Sequence, residues 1–378
     1  MRVLIAGCGD LGTALGLELA AAGDEVIGLR RHPEGLPAAI SPFAADLADP
    51  RTLEPLPEVD AVVYAAAADS STDEAYRRAY VDGLRHLLAA RALQEHPPQR
   101  ILFVSSTAVY AQNDGEWIDE GSPAEATDFR GLRLREGEDL LRVATPAATT
   151  TIVLRLSGIY GPGRTRLIDL VRSGRATYPP GPPRYANRIH RDDAAGALAH
   201  LLRLPAPAPL YLGTDDAPAD LAEVLTFLAV ELGAPLPQLA EAPSLGGTER
   251  PSKRCSNALL KATGYRFETV GQPKTTGGKS TVSVRIVRAA DKKPVTGAII
   301  IQSRADMGPM GMAAMTAPIK AFPSSTPGIY TFEVANGPVW NKPDKWELSF
   351  AAKVQGEAQT VRGAVVVTLF PLNSVRKP

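Results

Sequence analysis

Short apolar runs alternate with stretches of helical period over the first two thirds of the chain. Runs with the length of buried strands occupy residues 3–6, 25–29, 60–64, 100–104 and 151–156. A further helix is predicted over residues 72–94, with Ser71 and Glu74 as a capping box at its start. Continuous apolar strands separated by helices predict an α/β fold, a doubly wound parallel sheet of Rossmann type.

The pattern changes to that of an all-β domain near residue 280. Helical spacing disappears, and β-rich runs bounded by Pro and Gly follow at residues 281–287, 297–303, 328–334, 345–350 and 361–369. Such short strands predict a β-sandwich of immunoglobulin type. The polar residues 268–280 are predicted to be a linker. The expected domains are therefore 1–267 and 281–372.

The charge and composition change at the same place. The whole chain has 41 basic and 41 acidic side chains, but residues 1–268 carry 27 and 35 of them and residues 269–378 carry 14 and 6. The zero net charge thus combines −8 with +8. Only Lys253 and Lys261 are lysines before this boundary, and every Met except Met1 follows it. These shifts favour two domains of different origin.

The composition also excludes several classes of protein. Hydrophobic residues at 44% and charged residues at 22% are ordinary values for a folded protein. No apolar run approaches the roughly 20 residues of a membrane span. Two cysteines, Cys8 and Cys255, are too few for a disulfide framework. We therefore expect a cytoplasmic protein with neither a membrane nor a nucleic-acid partner, since the lysines of the second domain are scattered along strands.

The first strand runs directly into a G-x-G-x-x-G motif formed by Gly7, Gly9 and Gly12. In such a turn, the first glycine permits the tight bend, the second lets a pyrophosphate approach the backbone, and the third lets the helix pack on the sheet. Asp10 and Leu11 open the helix, whose N-terminal N–H groups attract phosphate. The motif predicts a dinucleotide site.

The end of the second strand indicates which nicotinamide cofactor this site prefers. An NAD site places a carboxylate there for the ribose diol, whereas this chain has Arg30 and Arg31. Two guanidiniums suit a 2′-phosphate, so we predict NADP, with NAD as the alternative. Solvated arginines without a ligand are the other interpretation.

Four motifs carry a resemblance to a known family: Ser-Ser-Thr-Ala-Val-Tyr at 105–110, the segment 154–164, Arg-Ile-His-Arg-Asp-Asp at 188–193, and Ser-Lys-Arg-Cys-Ser-Asn at 252–257. With them, residues 1 to about 267 resemble the extended short-chain dehydrogenase/reductase superfamily. Within it, the likeness is to the NAD-dependent epimerase/dehydratase group and its atypical YeeZ-like branch. The resemblance implies a Rossmann domain with a small substrate lobe, a small-molecule substrate and, as one option, a homodimer.

The resemblance also assigns roles to particular positions. It implies that Asp46 and Leu47 border the adenine and that Ala65 and Ala66 line the cofactor channel. Ser106 would hold a substrate oxygen, although a serine at a strand end also commonly bonds the local backbone. Both interpretations of Ser106 stay open at this point.

The chain departs from the family at its catalytic pair, Tyr-x-x-x-Lys. With the family's glutamate aligned to Glu138, Arg130 stands at the Tyr position and Leu134 at the Lys position. Arginine does not release a proton, and leucine cannot lower a neighbour's pKa. Tyr110 and Tyr160 are the remaining candidate acids, and either also suits an amphipathic wall. An oxidoreductase or epimerase/dehydratase and a non-catalytic nucleotide-binding sensor or interaction protein are both open hypotheses.

Segments 293–298, 306–315, 327–330 and 346–348 of the second domain resemble the FixH/YtkA-like family, whose sandwiches usually work outside the cytoplasm. Four thioethers, Met307, Met310, Met312 and Met315, fall within nine residues of a predicted loop. Soft sulfur suits Cu(I), so copper binding is a further hypothesis. The alternative is that these methionines are adaptable apolar filler.

Overall fold

The computed structural model describes residues 1–240, 252–262, 264–276, 279–288, 293–307, 312–322, 326–335, 344–354 and 360–369. The chain forms two compact units, Met1–Leu260 and Lys261–Pro378. No helix in the described ranges is both long and apolar enough to cross a membrane.

A seven-stranded parallel sheet forms the centre of the first unit and confirms the predicted Rossmann-type fold. The strands of this unit are β1 (Arg2–Ala6), β2 (Glu25–Arg30), β3 (Ser41–Ala44), β4 (Ala61–Tyr64), β5 (Arg100–Ser106), β6 (Trp117–Ile118), β7 (Thr150–Leu156), β8 (Gly158–Tyr160), β9 (Thr177–Tyr178), β10 (Tyr185–Ala186), β11 (Arg188–His190), β12 (Leu210–Gly213), β13 (Ala219–Asp220), β14 (Gln238–Leu239) and β15 (Arg254–Cys255). The sheet order is β3-β2-β1-β4-β5-β7-β12. The strand order reverses between β1 and β4, where ligands of such sheets bind.

Helices cover both faces of the sheet. The helices are α1 (Asp10–Ala21), α2 (Asp73–Arg77), α3 (Gly83–Leu88), α4 (Arg91–Glu95), α5 (Phe129–Ala144), α6 (Arg166–Arg172), α7 (Arg191–Arg203), α8 (Leu221–Leu232) and α9 (Ala258–Ala262). Val3 and Ile5 point to a core with α1 and α7, whereas Leu4 and Ala6 point to a core with α3 and α5. Because successive strand residues face opposite sides, a strand buried on both must be apolar throughout.

The segment predicted as one helix over residues 72–94 is interrupted. Thr72, not Ser71, caps α2 by accepting a hydrogen bond from the Ala75 N–H at 3.3 Å. A π turn over Arg78–Asp82 separates α2 from α3. Within this turn the Ala79 carbonyl accepts a hydrogen bond from the Tyr64 hydroxyl of β4. A tertiary contact thus lies at the point where the helical ladder widens.

A buried ion pair joins α5 to the sheet. Both Arg155 on β7 and Glu138 on α5 are about 2% exposed, and their closest N–O distance is 2.6 Å. Ser105 on β5 donates to the same carboxylate at 2.6 Å, and Arg135 donates to it at 2.9 Å. The Arg155 guanidinium also stacks on the Tyr110 ring, 4.9 Å from its centroid. One buried carboxylate therefore fixes two strands and a helix.

Two antiparallel sheets form the second unit, confirming the predicted β-sandwich. Its strands are β16 (Tyr265–Thr269), β17 (Lys274–Thr276), β18 (Lys279–Arg288), β19 (Ile299–Met307), β20 (Met312–Ala317), β21 (Ile319–Phe322), β22 (Ile329–Ala335), β23 (Asp344–Lys353) and β24 (Thr360–Leu369). One sheet has the order β16-β18-β22-β21, with β17 also paired to β18, and the other has β20-β19-β23-β24. Phe332 of the first sheet and Trp346 and Phe350 of the second share one core.

The boundary between the units differs from the predicted linker at 268–280. Residues Tyr265–Thr269 form β16, which pairs with β18, and Lys274–Thr276 pair with the start of the same strand. Phe267 packs against the sandwich core. Backbone pairing with β18 therefore gives this polar stretch a regular structure that its composition does not indicate.

We predict that Glu138→Ala destabilises the first unit by about 3–5 kcal/mol, because it leaves the Arg155 charge buried without its partner. Urea unfolding followed by circular dichroism at the helical band measures this, since the described part of the second unit consists almost entirely of strands. Glu136→Ala is the matched control on the same helix. Glu136 is 42% exposed and pairs with Arg133 at the surface, so its loss should cost under about 1 kcal/mol. Equal losses for the two variants would contradict a structural role for the buried pair.

Candidate functional site

A cavity of about 480 Å³ lies at the point where the strand order reverses. It is lined by every residue predicted to contact a cofactor: Gly7, Gly9, Asp10, Leu11, Gly12, Arg30, Arg31, Asp46, Leu47, Ala65 and Ala66. We call it the nucleotide cavity. Its residues come from the ends of β1, β2, β3 and β4, so the parallel sheet itself brings them together.

Gly7 makes the turn between β1 and α1 possible. Its φ is +84°, a conformation that favours glycine. A Cβ at this position would lie 2.4 Å from the Cα of Ala66, so the turn also requires the close approach of the chain after β4. This contact brings Ala65 and Ala66 to the wall of the cavity.

Gly9 and Gly12 meet different constraints. A Cβ on Gly12 would lie 2.9 Å from the Ile5 side chain, so α1 packs closely on β1. A Cβ on Gly9 would meet nothing nearer than 4.0 Å and would enter open space. Gly9 is also the N-cap of α1 and provides no side-chain acceptor for the first N–H groups of the helix. These donors and the open space suit a pyrophosphate.

Two arginines hold the carboxylate of Asp10, the first residue of α1. Arg164 donates to it at 2.8 Å and Arg191 at 3.1 Å. Arg164 also lines the nucleotide cavity. The pair offsets a negative charge that would otherwise repel phosphate beside the glycine turn. The sequence motifs do not indicate a role for Arg164 or Arg191 in the cofactor site.

Arg30 and Arg31 line the same cavity in different surroundings. The Arg30 guanidinium donates to the backbone carbonyls of His32 at 2.6 Å and Cys8 at 3.4 Å. Arg31 is 60% exposed, and its guanidinium lies 3.9 Å from the Asp69 carboxylate. Arg30 is thus held by the protein, whereas Arg31 can turn towards a ligand.

A second cavity of about 840 Å³ lies within the same unit, and Ser106 lines both. We call it the substrate-side cavity. The Ser106 hydroxyl accepts a hydrogen bond from the Ala108 N–H at 3.2 Å. Ser106 therefore bonds the local backbone and lines both cavities, and its role in holding a substrate oxygen stays a prediction.

The two candidate tyrosines are poorly placed for acid catalysis. Tyr110 lines the substrate-side cavity but is fully buried, and its hydroxyl donates to the Asp119 carbonyl and accepts from Arg155. Burial raises the pKa of Tyr110, although Arg155 opposes the shift. Tyr160 is absent from the lining of both cavities, and its pKa is raised by burial and by Asp215.

Arg130 and Leu134, the residues that the predicted alignment assigns to the family's catalytic pair, line the two cavities. Leu134 lines the nucleotide cavity and Arg130 lines the substrate-side cavity. The Arg130 guanidinium donates to the Ser71 hydroxyl at 3.1 Å and contacts Asp128 at 3.5 Å. The positions predicted by alignment are thus at the site, without a hydroxyl that can exchange a proton.

Lys253 is a site residue to which the sequence analysis gave no role. It lines the substrate-side cavity, is 5% exposed, and donates to the Tyr110 carbonyl at 2.7 Å. The signal in the sequence was its rarity, since Lys253 is one of two lysines among the first 268 residues. By contrast, burial raises the pKa of the Cys255 thiol to about 11, so this cysteine is a poor nucleophile.

The methionines of the copper hypothesis are described only in part. Met307 ends β19 and pairs in register with Met312 at the start of β20, and Met315 also lies on β20. The predicted loop is therefore shorter than expected, because three of the four residues lie on strands. Met310 lies outside the described residues, and copper binding stays a prediction.

Comparison with known proteins confirms both resemblances. Residues 3–204 match the model of the NAD dependent epimerase/dehydratase family, and residues 260–336 match the YtkA-like model. The 3-diazoavenalumate denitrifying reductase of a Streptomyces species is 31% identical over 274 residues, which cover 65% of this chain and 88% of the relative.

Solved structures resemble the first unit. A structure from Methylobacillus flagellatus, assigned to the NAD-dependent epimerase/dehydratases, is 38% identical with a TM-score of 0.57, covering 70% of this chain and 92% of that one. MoeE5 in complex with UDP-glucose and NAD is 22% identical with a TM-score of 0.60, covering 69% and 91%. At this identity the second likeness shows the fold alone.

Proposed function

The chain belongs to the NAD dependent epimerase/dehydratase family, and from this premise we propose that its first unit is an NADP(H)-dependent reductase of a small organic substrate. The observation that carries the proposal is the junction of the two cavities at Ser106. A cofactor in one cavity and a substrate in the other would meet there. The Streptomyces relative, named as a reductase, supports the same direction of reaction.

The lining of the nucleotide cavity fits a dinucleotide. The first turn of α1 provides backbone donors for the pyrophosphate, and Gly9 leaves space for it. Asp46 and Leu47 would border the adenine, while Ser106, Leu134 and Leu156 would surround the opposite end. A bound reduced nicotinamide supplies a hydride there. Such a protein draws on the cytoplasmic cofactor pool, so we propose the cytoplasm as its location.

The residues at the substrate end favour reduction over epimerisation or dehydration by the family's route. Oxidising an alcohol requires a base that takes the hydroxyl proton. Arg130, at the Tyr position, cannot be that base, and Leu134 cannot assist one. Ser106 can donate a hydrogen bond to a substrate oxygen, which stabilises charge that forms there. The site therefore suits a substrate that accepts a hydride from the cofactor and takes the proton that completes the reduction from water.

Preference for NADP over NAD would depend on Arg31 more than on Arg30. Arg30 already donates to two carbonyls, whereas the guanidinium of the exposed Arg31 lies 3.9 Å from the Asp69 carboxylate. A 2′-phosphate carries more negative charge than a carboxylate and offers three acceptor oxygens. Arg31 can therefore pair with it in preference to Asp69.

We expect Gly9→Ala to weaken NADPH binding by at least about tenfold, or ~1.4 kcal/mol, because its methyl group occupies the space for the pyrophosphate. The free protein has room for this methyl, so folding should be kept. Fluorescence titration with NADPH measures the affinity. Gly121→Ala is the control, since its Cβ would make an ordinary 3.5 Å contact with Asp119 outside the cavity. Unchanged NADPH affinity in Gly9→Ala would place the cofactor elsewhere.

We expect Arg31→Ala to weaken NADPH binding about tenfold and to leave NADH binding unchanged, because a charge-assisted hydrogen bond to phosphate is worth roughly 1.5–3 kcal/mol. The same titration with both cofactors separates the effects. Arg51→Ala provides the control, as Arg51 is an exposed arginine paired with Asp49 and does not line the cavity. A parallel loss of both cofactors would show that Arg31 does not read the 2′-phosphate.

Turnover distinguishes a reductase from a nucleotide sensor. We expect the protein to oxidise NADPH in the presence of at least one member of a panel of organic carbonyl and diazo compounds. The loss of NADPH absorbance measures this reaction. Gly9→Ala serves as the blank for background oxidation. Tight NADPH binding without turnover on any member of the panel would favour the non-catalytic sensor.

A further inference from the structure

The substrate-side cavity is strongly positive. Five cationic side chains line it, and Asp128 is the one carboxylate in the lining that the structure describes; the cations are Arg130, Arg166, Arg184, Arg188 and Lys253. The Asp128 carboxylate also caps α5, accepting from the Gly131 N–H at 3.0 Å. A cavity with this excess of positive charge attracts an anion.

Lys253 is the most deeply buried of the five cations. It is 5% exposed, and its Nζ donates a hydrogen bond to the Tyr110 carbonyl. Among the described residues, no carboxylate lies within 4.0 Å of this ammonium. Burial lowers the pKa of Lys253 accordingly. Burying a cation without a negative partner costs free energy. The ammonium has three N–H donors, so its bond to one carbonyl leaves two donors for a ligand.

The backbone around Lys253 is fixed from both sides. β15 pairs in parallel with β6, with Arg254 opposite Trp117 and Cys255 opposite Ile118. The Asn187 side chain donates to the Lys253 carbonyl at 2.7 Å and accepts from the Cys255 N–H at 2.8 Å. The ammonium is therefore carried by a rigid segment, which lowers the entropic cost of holding a ligand.

The rest of the lining suits an aromatic or unsaturated carbon frame. Rings of Tyr76 and Tyr185 line the cavity, together with four alanines, Pro179 and Leu221. The Tyr185 ring is itself fixed by the Arg254 guanidinium, 4.9 Å from its centroid. Flat apolar walls with one buried cation are complementary to a planar organic acid.

Hydrogen bonds within the protein hold two of the surrounding guanidiniums in place. Arg130 donates to Ser71 and contacts Asp128, and Arg184 donates to the Asn113 side chain at 3.0 Å. The buried Lys253 ammonium therefore offers its free donors to a single anionic group.

We propose that the substrate-side cavity binds a small aromatic carboxylate, and that Lys253 pairs with its carboxyl group. This inference rests on the proposed reductase function and adds the class of its substrate. Lys253 would hold the acid at one end while the reducible group lies towards Ser106. It is a substrate-binding residue, not a donor of the proton or the hydride.

The test measures binding of trans-cinnamate and its neutral amide, cinnamamide, by isothermal titration calorimetry, with and without NADPH. We expect the acid to bind the wild-type protein at least about tenfold more tightly than the amide, as for a hydrogen bond to a charged group. Lys253→Met, which keeps the length of the side chain, should abolish this preference and leave the amide affinity unchanged.

Lys261→Met is the matched control because it removes the other lysine among the first 268 residues, an exposed one on α9. It should keep the wild-type preference for the acid. NADPH affinity and the circular dichroism spectrum of Lys253→Met should match those of the wild type, showing that the variant folds.

Three results would overturn the inference: equal affinity for acid and amide in the wild type, an unchanged preference in Lys253→Met, or binding of UDP that excludes cinnamate and does not depend on Lys253. Failure of the proposed function looks different, since NADPH then does not bind the nucleotide cavity. The titrations without cofactor still decide the role of Lys253 in that case.

Discussion

The buried ion pair between Glu138 and Arg155 is the interaction on which the site depends. It fixes the register of α5 against β5 and β7, and its hydrogen bonds reach Ser105 and the Tyr110 hydroxyl. Ser105 belongs to the wall of the nucleotide cavity and Tyr110 to that of the substrate-side cavity. Breaking a buried ion pair leaves an uncompensated charge in the core, so this pair holds the three elements together. The apolar cores position the sheet and its helices, and this polar contact positions the strand end that carries Ser106.

The same pair holds the helix on which we predict a departure from Tyr-x-x-x-Lys. Glu138 accepts from Arg155, and α5 presents Arg130 and Leu134 to the cavities. Under the predicted alignment, a guanidinium and an alkyl group stand at the positions of the family's hydroxyl and ammonium. Our proposal therefore separates the parts of the fold that would bind a dinucleotide from the positions that would move a proton. On α5, Glu138 supports the fold, whereas Arg130 and Leu134 line the cavities.

Much of the fold and of the nucleotide cavity could be predicted because the signals are local. Gly7, Gly9 and Gly12 are required by the geometry of one strand–turn–helix unit, and apolar runs identify strands buried on both faces. The π turn after Arg77 was not predictable, since the Tyr64 hydroxyl that contacts it lies on a distant strand. The polar residues that follow Phe267 were predicted to be a linker. Their pairing with β18 forms only in the folded sandwich, so their composition does not indicate it. Lys253 was missed for the same reason, as its partner Tyr110 is 143 positions away in the sequence.

Ser106 has a consequence for how strongly two ligands of this protein would affect each other's affinity. Its side chain belongs to the walls of two cavities, so occupants of both would touch the same hydroxyl and each other. Any free energy gained in that contact belongs to the ternary complex alone. By thermodynamic linkage, this free energy would increase the affinity for the first ligand and the affinity for the second by the same factor. One serine that lines both cavities would therefore be sufficient to couple the two binding equilibria without any change in the fold.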